Sequence, residues 1–542
     1  MGRQEQQQSG RGGYELRRLS IVLAVSAVLL SLGPTDSFLS APLSSVGSGA
    51  AGYAAALRRS TGESRSTTQR TAAARWEARE SGGGGAAVRR LSATGVATED
   101  NQGAVGSLLE SQEKQVSNND MKPFVAMPRR DPRVWFDAIK DGALPRPGAL
   151  VELSKAGEAE LAELALPTRK QEPYRYTDLE SLYRTDFTSA RAPSSEAGEA
   201  AAAIAPYLLE ACQGQQMVFV NGVFSEELSD VSALGGVEGL VAGHIGAMEG
   251  ASLDQAKEML AYLPERDADY RTTQGSLPFA SLNQACFADA GVIMVAEGVT
   301  VEKPIQVIFF SEGGEEPTVS HPRLVVRAGA DAHLTLTQSY LSQGGVCLSN
   351  GFTRVEVGDR ATVTHDYVEE MSASDRLVDT VSVDQTTNST YSVNQVLSGA
   401  FDSRSNFQID LLETGSHCNI FTAALTTKNQ RQDVHSTIRH KAEGTTCLQE
   451  QRNVVSDTAD CVFKGRIVID QVAQKTDANQ LCRTLLVSDK ARVTVMPSME
   501  IIANDVKCTH GATICDLEDE ELFYLMSRGI SKIEVSSPSC CA

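Results

Sequence analysis

Between Ala332 and Ala491 one short pattern keeps returning: a polar or turn-forming stretch, a small residue, then apolar alternation. It occurs at Ala332 in AGADAHLTL, Ala361 in VGDRATVTH, Thr390 in TTNSTYSVN, Cys418 in TGSHCNIFT, Cys447 in EGTTCLQEQ, Cys461 in DTADCVFKG and Ala491 in SDKARVTVM. The steps are 29, 29, 28, 29, 14 and 30 residues. A unit of about 29 residues with half-units of about 14 cannot bury its apolar face alone, so successive units must stack. The surrounding text is strand-like, as in VIMVA, IQVIFF, RLVVRA and ATVTHDYV, with Val, Ile, Thr and Phe dominant and Gly or Asp at the ends. The expected fold is mainly β, with a right-handed parallel β-helix, a stacked solenoid, over residues 281–516. A β-sandwich is the competing arrangement. It fits less well, because the hairpin signal at Asn221 and Gly222 lies outside the repeat.

The text before the repeat has other textures. Residues 131–280 carry Ala-, Leu- and Glu-rich runs such as RVWFDAIKDGA and ALVELSKAGEAELAELAL, with apolar residues three and four apart, and predict an N-terminal helical domain. Residues 96–130 are polar and predict a linker. At the N-terminus, Arg17 and Arg18 precede the apolar run Ile21 to Leu32, too short to span a bilayer but suited to a secretory signal over residues 1–37. Residues 38–95 are rich in Arg, Ser, Thr and Ala, the composition of a transit peptide. Signal and transit segments in series resemble the bipartite presequence of proteins sent to a plastid of secondary origin, with Phe38 where such presequences carry an aromatic. The expected location is the plastid stroma, with no membrane association of the mature chain.

Charge narrows the partners. The chain of 542 residues has 69 acidic and 49 basic side chains, a net charge of −20. Residues 1–95 hold 12 Arg, no Lys and 6 acids, which makes that stretch +6 and the remainder −26. A nucleic-acid backbone requires a basic face, so such a partner is not expected. The 11 cysteines include no Cys-x-x-Cys and do not form a disulfide-like framework, which fits a reducing compartment and argues against a preformed structural zinc site. Cys418, Cys447 and Cys461 share the small-residue position of the repeat and read as buried small hydrophobes at coil corners. His435 and His440, five apart, point to opposite faces of a strand and make poor ligands for one ion.

Near the C-terminus, NDVKCTHGAT places Cys508 and His510 two apart. In a strand both project from one face, about 6.8 Å apart along the chain, with Lys507 and Thr509 on the other. From these residues alone the pair is open to three readings: a working thiol, a metal-ligand pair that a partner chain completes, or two satisfied core residues. Thiolate and imidazole suit iron, and an imidazolium beside Cys508 would lower its pKa. No Gly-Lys-Ser/Thr loop for ATP phosphates and no Gly-x-Ser-x-Gly elbow occurs.

Three stretches carry a specific resemblance: KQEPYRYTDLESL at 170–182, FKGRIVIDQVAQKTDANQLCRTLLVSDKARVTVMPSMEI at 463–501, and NDVKCTHGATICDLEDEELFYLMSRGI at 504–530. Together they resemble the SufD branch of the SufB/SufD family of the SUF iron–sulfur cluster assembly machinery, over residues 130 to 535. SufB-like sequences diverge at KCTHGAT. The resemblance implies a non-catalytic scaffold subunit in a complex of one SufB-like chain, one SufD-like chain and two copies of the ATPase SufC, on which a nascent cluster forms from iron and persulfide sulfur. It implies that Cys508 and His510 face the SufB-like subunit and share transient iron or an iron–sulfur cluster with it. Nothing in these residues bears on flavin. Two departures stand out: the family continues with helices that dock on SufC, whereas residues 517–542 give one short helical segment, read as truncated, and Cys515 replaces a usual Gly. In that segment Asp516 is the expected N-cap, Leu522, Leu525 and Met526 the apolar stripe and Gly529 the stop. AQKTDANQL at 473–481, with Lys475, Thr476 and Asp477, reads as an interface edge or a satisfied turn. The alternatives are a SufB-like paralogue and a β-helix enzyme acting on acidic polysaccharide, with Asp359 and Asp366 as candidate acids and bases.

Overall fold

The computed structural model describes residues 130–190, 197–264, 275–516 and 519–529. The expected signal segment 1–37, transit segment 38–95 and, but for its last residue, linker 96–130 lie outside the described residues.

From Thr362 the chain settles into one rhythm of eleven ten-residue strands: β1 Thr362–Met371, β2 Arg376–Gln385, β3 Thr390–Gly399, β4 Asp402–Leu411, β5 His417–Thr426, β6 Arg431–His440, β7 Thr446–Val455, β8 Asp460–Ile469, β9 Asp477–Leu486, β10 Arg492–Ile501 and β11 Lys507–Asp516. Odd-numbered strands pair in parallel with one another, and so do even-numbered ones. Each coil thus gives one strand to each of two sheets, which hold 11 and 10 strands once the preceding, less regular ones are included. The result is a β-solenoid. Coil length varies from 26 residues, where Arg376 pairs with Asp402, to 32, where Asp460 pairs with Arg492. The step of 14 in the sequence repeat has a simple origin: Cys447 lies in the odd sheet and Cys461 in the even one.

One turn conformation recurs at six successive coils. Asp331, Arg360, Asn388 and Lys475 adopt φ of 57°, 57°, 54° and 58°, and Gly415 and Gly444 take the same place with φ of 70° and 69°. Gly415 has a second reason to lack a side chain, because a Cβ there would collide with the Asn388 amide one coil below. The small residue after this turn is the corner. Through backbone bonds, Ala361 aligns with Ser389, Ser416 and Thr445. Cys418 and Cys447 stand two residues further on, paired with each other inside the strands. The cysteines are therefore buried as expected but sit on the inner face of the strands, and the corners belong to Ala, Ser and Thr. Lys475, Thr476 and Asp477 form one of these turns, with the Thr476 hydroxyl donating to the Ala473 carbonyl at 2.9 Å.

The two sheets differ in what covers their outer faces. Odd strands alternate between buried and half-buried residues, the signature of one solvated face, whereas β4 is buried throughout. Helices α1 Pro132–Asp141, α2 Val151–Glu163, α3 Leu179–Arg184, α4 Ala197–Ile204, α5 Gly250–Leu260 and α6 Leu277–Cys286 occupy the N-terminal region. Trp135, Phe136, Leu179, Leu182, Phe279 and Leu282 pack against Leu348 and Val378 on the outside of the even sheet. The same region also supplies strands. Gln216–Val220 pairs in the odd sheet and Leu240–His244 in the even one, so residues 131–280 are more than helices.

The KQEPYRYTDL stretch fastens this layer down. Buried Arg404 on β4 donates to the Pro173 carbonyl (3.0 Å), the Thr177 hydroxyl (2.8 Å) and Asp433 (2.7 Å), and its guanidinium lies 4.8 Å from the Tyr174 ring. Asp433 also pairs with His435 at 2.6 Å and accepts from Thr177 at 2.6 Å. Arg431–Asp178 and Lys464–Glu172 ion pairs flank the contact. His435 thus points outward into the clasp, while His440 is inside against Thr445, as their odd spacing requires.

The lumen is apolar around Leu377, Val381, Tyr391, Ile409, Ile438 and Phe463, but it also holds carboxyls. Asp379 accepts from the hydroxyls of Tyr340 (3.0 Å) and Tyr367 (2.9 Å). Gly351 leaves room for this trio, since a Cβ there would strike both Tyr340 and Asp379. Glu369 accepts from Ser403 (2.7 Å) and Gln432 (3.0 Å). Burial lifts the Glu369 carboxyl to about 7 and that of Asp379 to about 6.

Candidate functional site at the open end of the solenoid

A solenoid buries each coil under the next, and the last coil has nothing above it. β10 and β11 are edge strands, each hydrogen-bonded on one side only, to β8 and β9. Val493, Val495, Met499 and Ile501 of β10, and Cys508, His510, Ala512 and Ile514 of β11, have the registers of lumen residues below them. They stay half-buried or exposed, Ile501 at 44% and Ile514 at 49%.

Cys508 and His510 share this inner face, as their spacing requires. Cys508 continues the file Tyr391, Cys418, Cys447, Ala478 and rests partly on the core. Burial and then the Asp477 carboxylate push its thiol above the ordinary value, against a bond from the Ala478 backbone that lowers it. The expected lowering by a neighbouring imidazolium does not operate. His510 is exposed and stacks in register on Gln480, whose amide donates to Gln449 (2.8 Å), which donates in turn to Ser436 (2.6 Å). The opposite face carries Lys507, in register with Asp477, and Thr509, bonded to Asn479. Cys515 is exposed on that opposite face, its thiol 3.5 Å from the Thr484 carbonyl.

Among the described residues no three or more Cys, His, Asp or Glu side chains group closely enough to hold a metal ion. Cys508 and His510 offer two donors, a thiol and an imidazole, to whatever closes the coil. The two carboxylates of the polysaccharide-enzyme alternative sit in different settings. Asp359 lies in the turn before β1, and Asp366, on the outer face of β1, is half-buried near Cys212 and bonded to Asn394 at 2.8 Å. Beyond β11, helix α7 spans Asp519–Ser527 and stops at Gly529, with φ of 88°. Asp516 ends β11 instead of capping the helix. Phe523, Tyr524 and Met526 are exposed at 74%, 56% and 47%. No helix among the described residues is long and apolar enough to cross a membrane.

Comparison with known proteins decides the family. The description "SUF system FeS cluster assembly, SufBD core domain" matches residues 309–537, and "SufBD protein N-terminal region" matches 148–307. The chain belongs to the SufB/SufD family. It is 31% identical over 382 residues to the iron–sulfur cluster assembly SufBD family protein slr0076 of Synechocystis sp., covering 68% of this chain and 81% of that one. It is 28% identical over 380 residues to the iron–sulfur cluster assembly protein SufD of Escherichia coli, covering 69% and 82%. The chloroplastic protein ABCI7 of Arabidopsis thaliana is 27% identical over 405 residues, covering 73% and 82%. Within the SufB/SufD family this chain is SufD-like, and its general role is iron–sulfur cluster assembly. The matched core region includes the exposed coil that carries Cys508 and His510.

Sequence reasoning missed three parts of this architecture: the lumen carboxyls, the uncovered apolar run of β10, and a file of alternating charges at Arg376, Asp402, Arg431, Asp460 and Arg492. The last was detectable as charges recurring at the coil period.

Proposed function

We propose that the chain is the SufD-like, non-catalytic subunit of a scaffold that also contains a SufB-like solenoid and a SufC-like ATPase. The carrying observation is the open coil: two edge strands whose inner face offers Cys508 and His510. In this reading a SufB-like chain covers β10 and β11 and adds the missing donors, and iron and nascent cluster, as cargo, are held between the two. The exposed Phe523, Tyr524 and Met526 of α7 support docking of the ATPase on the C-terminal segment. The chloroplastic relative and the Arg- and Ser-rich stretch 38–95 support import into a plastid, with the stroma of a secondary plastid as destination.

The test is cluster recovery by the complex purified with its SufB- and SufC-like subunits. Cys508→Ser and His510→Ala keep the circular dichroism and melting temperature of the parent, because both side chains stand at the uncovered end, and each lowers iron and sulfide recovered on the complex by about tenfold or more. Normal recovery in both variants would overturn the site.

A further inference from the structure

The starts of the even strands form one file. Arg376, Asp402, Arg431, Asp460 and Arg492 are consecutive Cα partners across β2, β4, β6, β8 and β10. All five project outward, since residues an odd number of positions further along the same strands, such as Leu377 and Phe463, point to the lumen. Adjacent strands lie about 4.8 Å apart, so the charges alternate along the stack at close range. Asp402 feels both Arg431 and Arg376, and Asp460 feels both Arg431 and Arg492. At the inner end Arg376 follows Leu348 and turns to Asp402 and Asp178. At the outer end Arg492 is exposed, with Asp460 behind it and no strand ahead. A groove of about 440 Å³ opens there, lined by Arg431, Asp460, Asp489, Lys490 and Arg492 among others.

We propose that Arg492 is a register pin: the strand that covers β10 belongs to a different solenoid chain and carries an Asp or Glu in the slot beside Arg492, extending the alternation by one step. This rests on the reading that a SufB-like solenoid closes the open coil. Charge alternation specifies register because a slip of one residue turns every side chain of the incoming strand to the other face and removes the carboxylate. A second copy of this chain is a poor occupant. Laid parallel on β10 it sets Arg492 against Arg492, and laid antiparallel in full register it sets Arg492 against Ile501. Its acid at the end of β11, Asp516, shares the inner face with Cys508 and His510, whereas Arg492 projects outward.

The experiment measures binding of the full chain to the SufB-like subunit from the same genome, for wild type, Arg492→Glu, Arg492→Lys and the control Arg452→Glu, which makes the same charge change on β7 away from the edge. Arg492→Glu weakens binding by about tenfold or more, while Arg492→Lys and Arg452→Glu stay within about threefold. A Lys substituted for one carboxylate on the partner's edge strand restores binding to Arg492→Glu and not to wild type. Wild-type affinity in Arg492→Glu overturns the pin and leaves the partnership standing. Failure of the wild type to bind overturns the partnership and the pin with it. Self-association of the wild type that Arg492→Glu abolishes makes a second copy the occupant and overturns the assignment to a different chain.

Discussion

Glu369 offers a measurable link between the lumen and pH. Its carboxyl is fully buried on β1, accepts from Ser403 and Gln432 through one oxygen, and is lifted from 4.5 to about 7 chiefly by desolvation. In the unfolded chain the proton leaves near 4.5, whereas the folded chain keeps it to about 7. Between those values the native state binds more protons, so stability is present in full below about 4.5 and is lost as pH rises through about 7. At 1.36 kcal/mol for each pH unit, a rise from 4.5 to about 7 corresponds to about 3 kcal/mol. Glu369→Gln keeps an acceptor for both donors and removes the proton. Relative to wild type it gains about 3 kcal/mol between pH 4.5 and pH 8, a difference in melting temperature of about 3 °C for a unit of this size. Asp402, lifted to about 7 chiefly by burial, titrates in both proteins and cancels, whereas Asp379, lifted to about 6, also raises Glu369 and is a minor part of the same effect. Differential scanning calorimetry of both proteins at pH 5 and pH 8 reads the change. A difference that does not depend on pH would refute the reasoning, since it would mean that Glu369 is already ionised in the folded lumen.

Arg404→Met leaves Asp433 buried without its guanidinium and costs about 3–5 kcal/mol, with protease sensitivity appearing near residues 172–184. Adding Asp433→Asn recovers part of that loss in a double-mutant cycle, and simple additivity would show that the two groups do not couple. Gly351→Ala forces Tyr340 and Asp379 apart and costs about 2–4 kcal/mol by chemical denaturation. With iodoacetamide the native protein labels at Cys515 and Cys508, while Cys418, Cys447 and Cys461 label only after unfolding. Because its thiol pKa is raised, Cys508 needs a higher pH than a free thiol, and mass spectrometry of the peptides follows both points.

The repeat was legible because the coil closes with a similar backbone turn each time, and that turn needs a left-handed residue followed by a small one. Asp331, Arg360, Asn388, Gly415 and Gly444 are the left-handed residues, and the polar stretches around them are what recurred. Exact register was less legible, since coils differ in length by up to six residues, 26 against 32, and because two-residue offsets conserve the inward face. Hence the repeat predicts corners at Cys418 and Cys447, which lie inside strands. The even strands hid their nature for another reason: with α1, α3 and α6 packed outside, they are buried on both faces and lose the alternation that marks a half-exposed strand. The shared face of Cys508 and His510 followed from spacing alone. Their exposure did not, because it depends on β11 being the last strand of its sheet.

That dependence puts one residue type in two settings within a single file. Cys418, Cys447 and Cys508 are equivalent in the stack, all on the inner face of odd strands, with Ala478 between the last two. The first two are sealed by the coils above, and desolvation pushes their thiols far above the ordinary value, so they serve as small packing residues. Cys508 has the same neighbours below and none above, so its thiol is only partly buried, and His510, two residues on, faces the same opening. A coil added above β11 would convert both into core. A site built from lumen-facing residues can exist in such a fold only where the stack stops, and whatever binds there must stand in for the next coil. Under the proposed function the partner's backbone and its donors arrive together, so loss of Cys508 or His510 is expected to spare docking while loss of edge pairing abolishes docking and cargo binding alike.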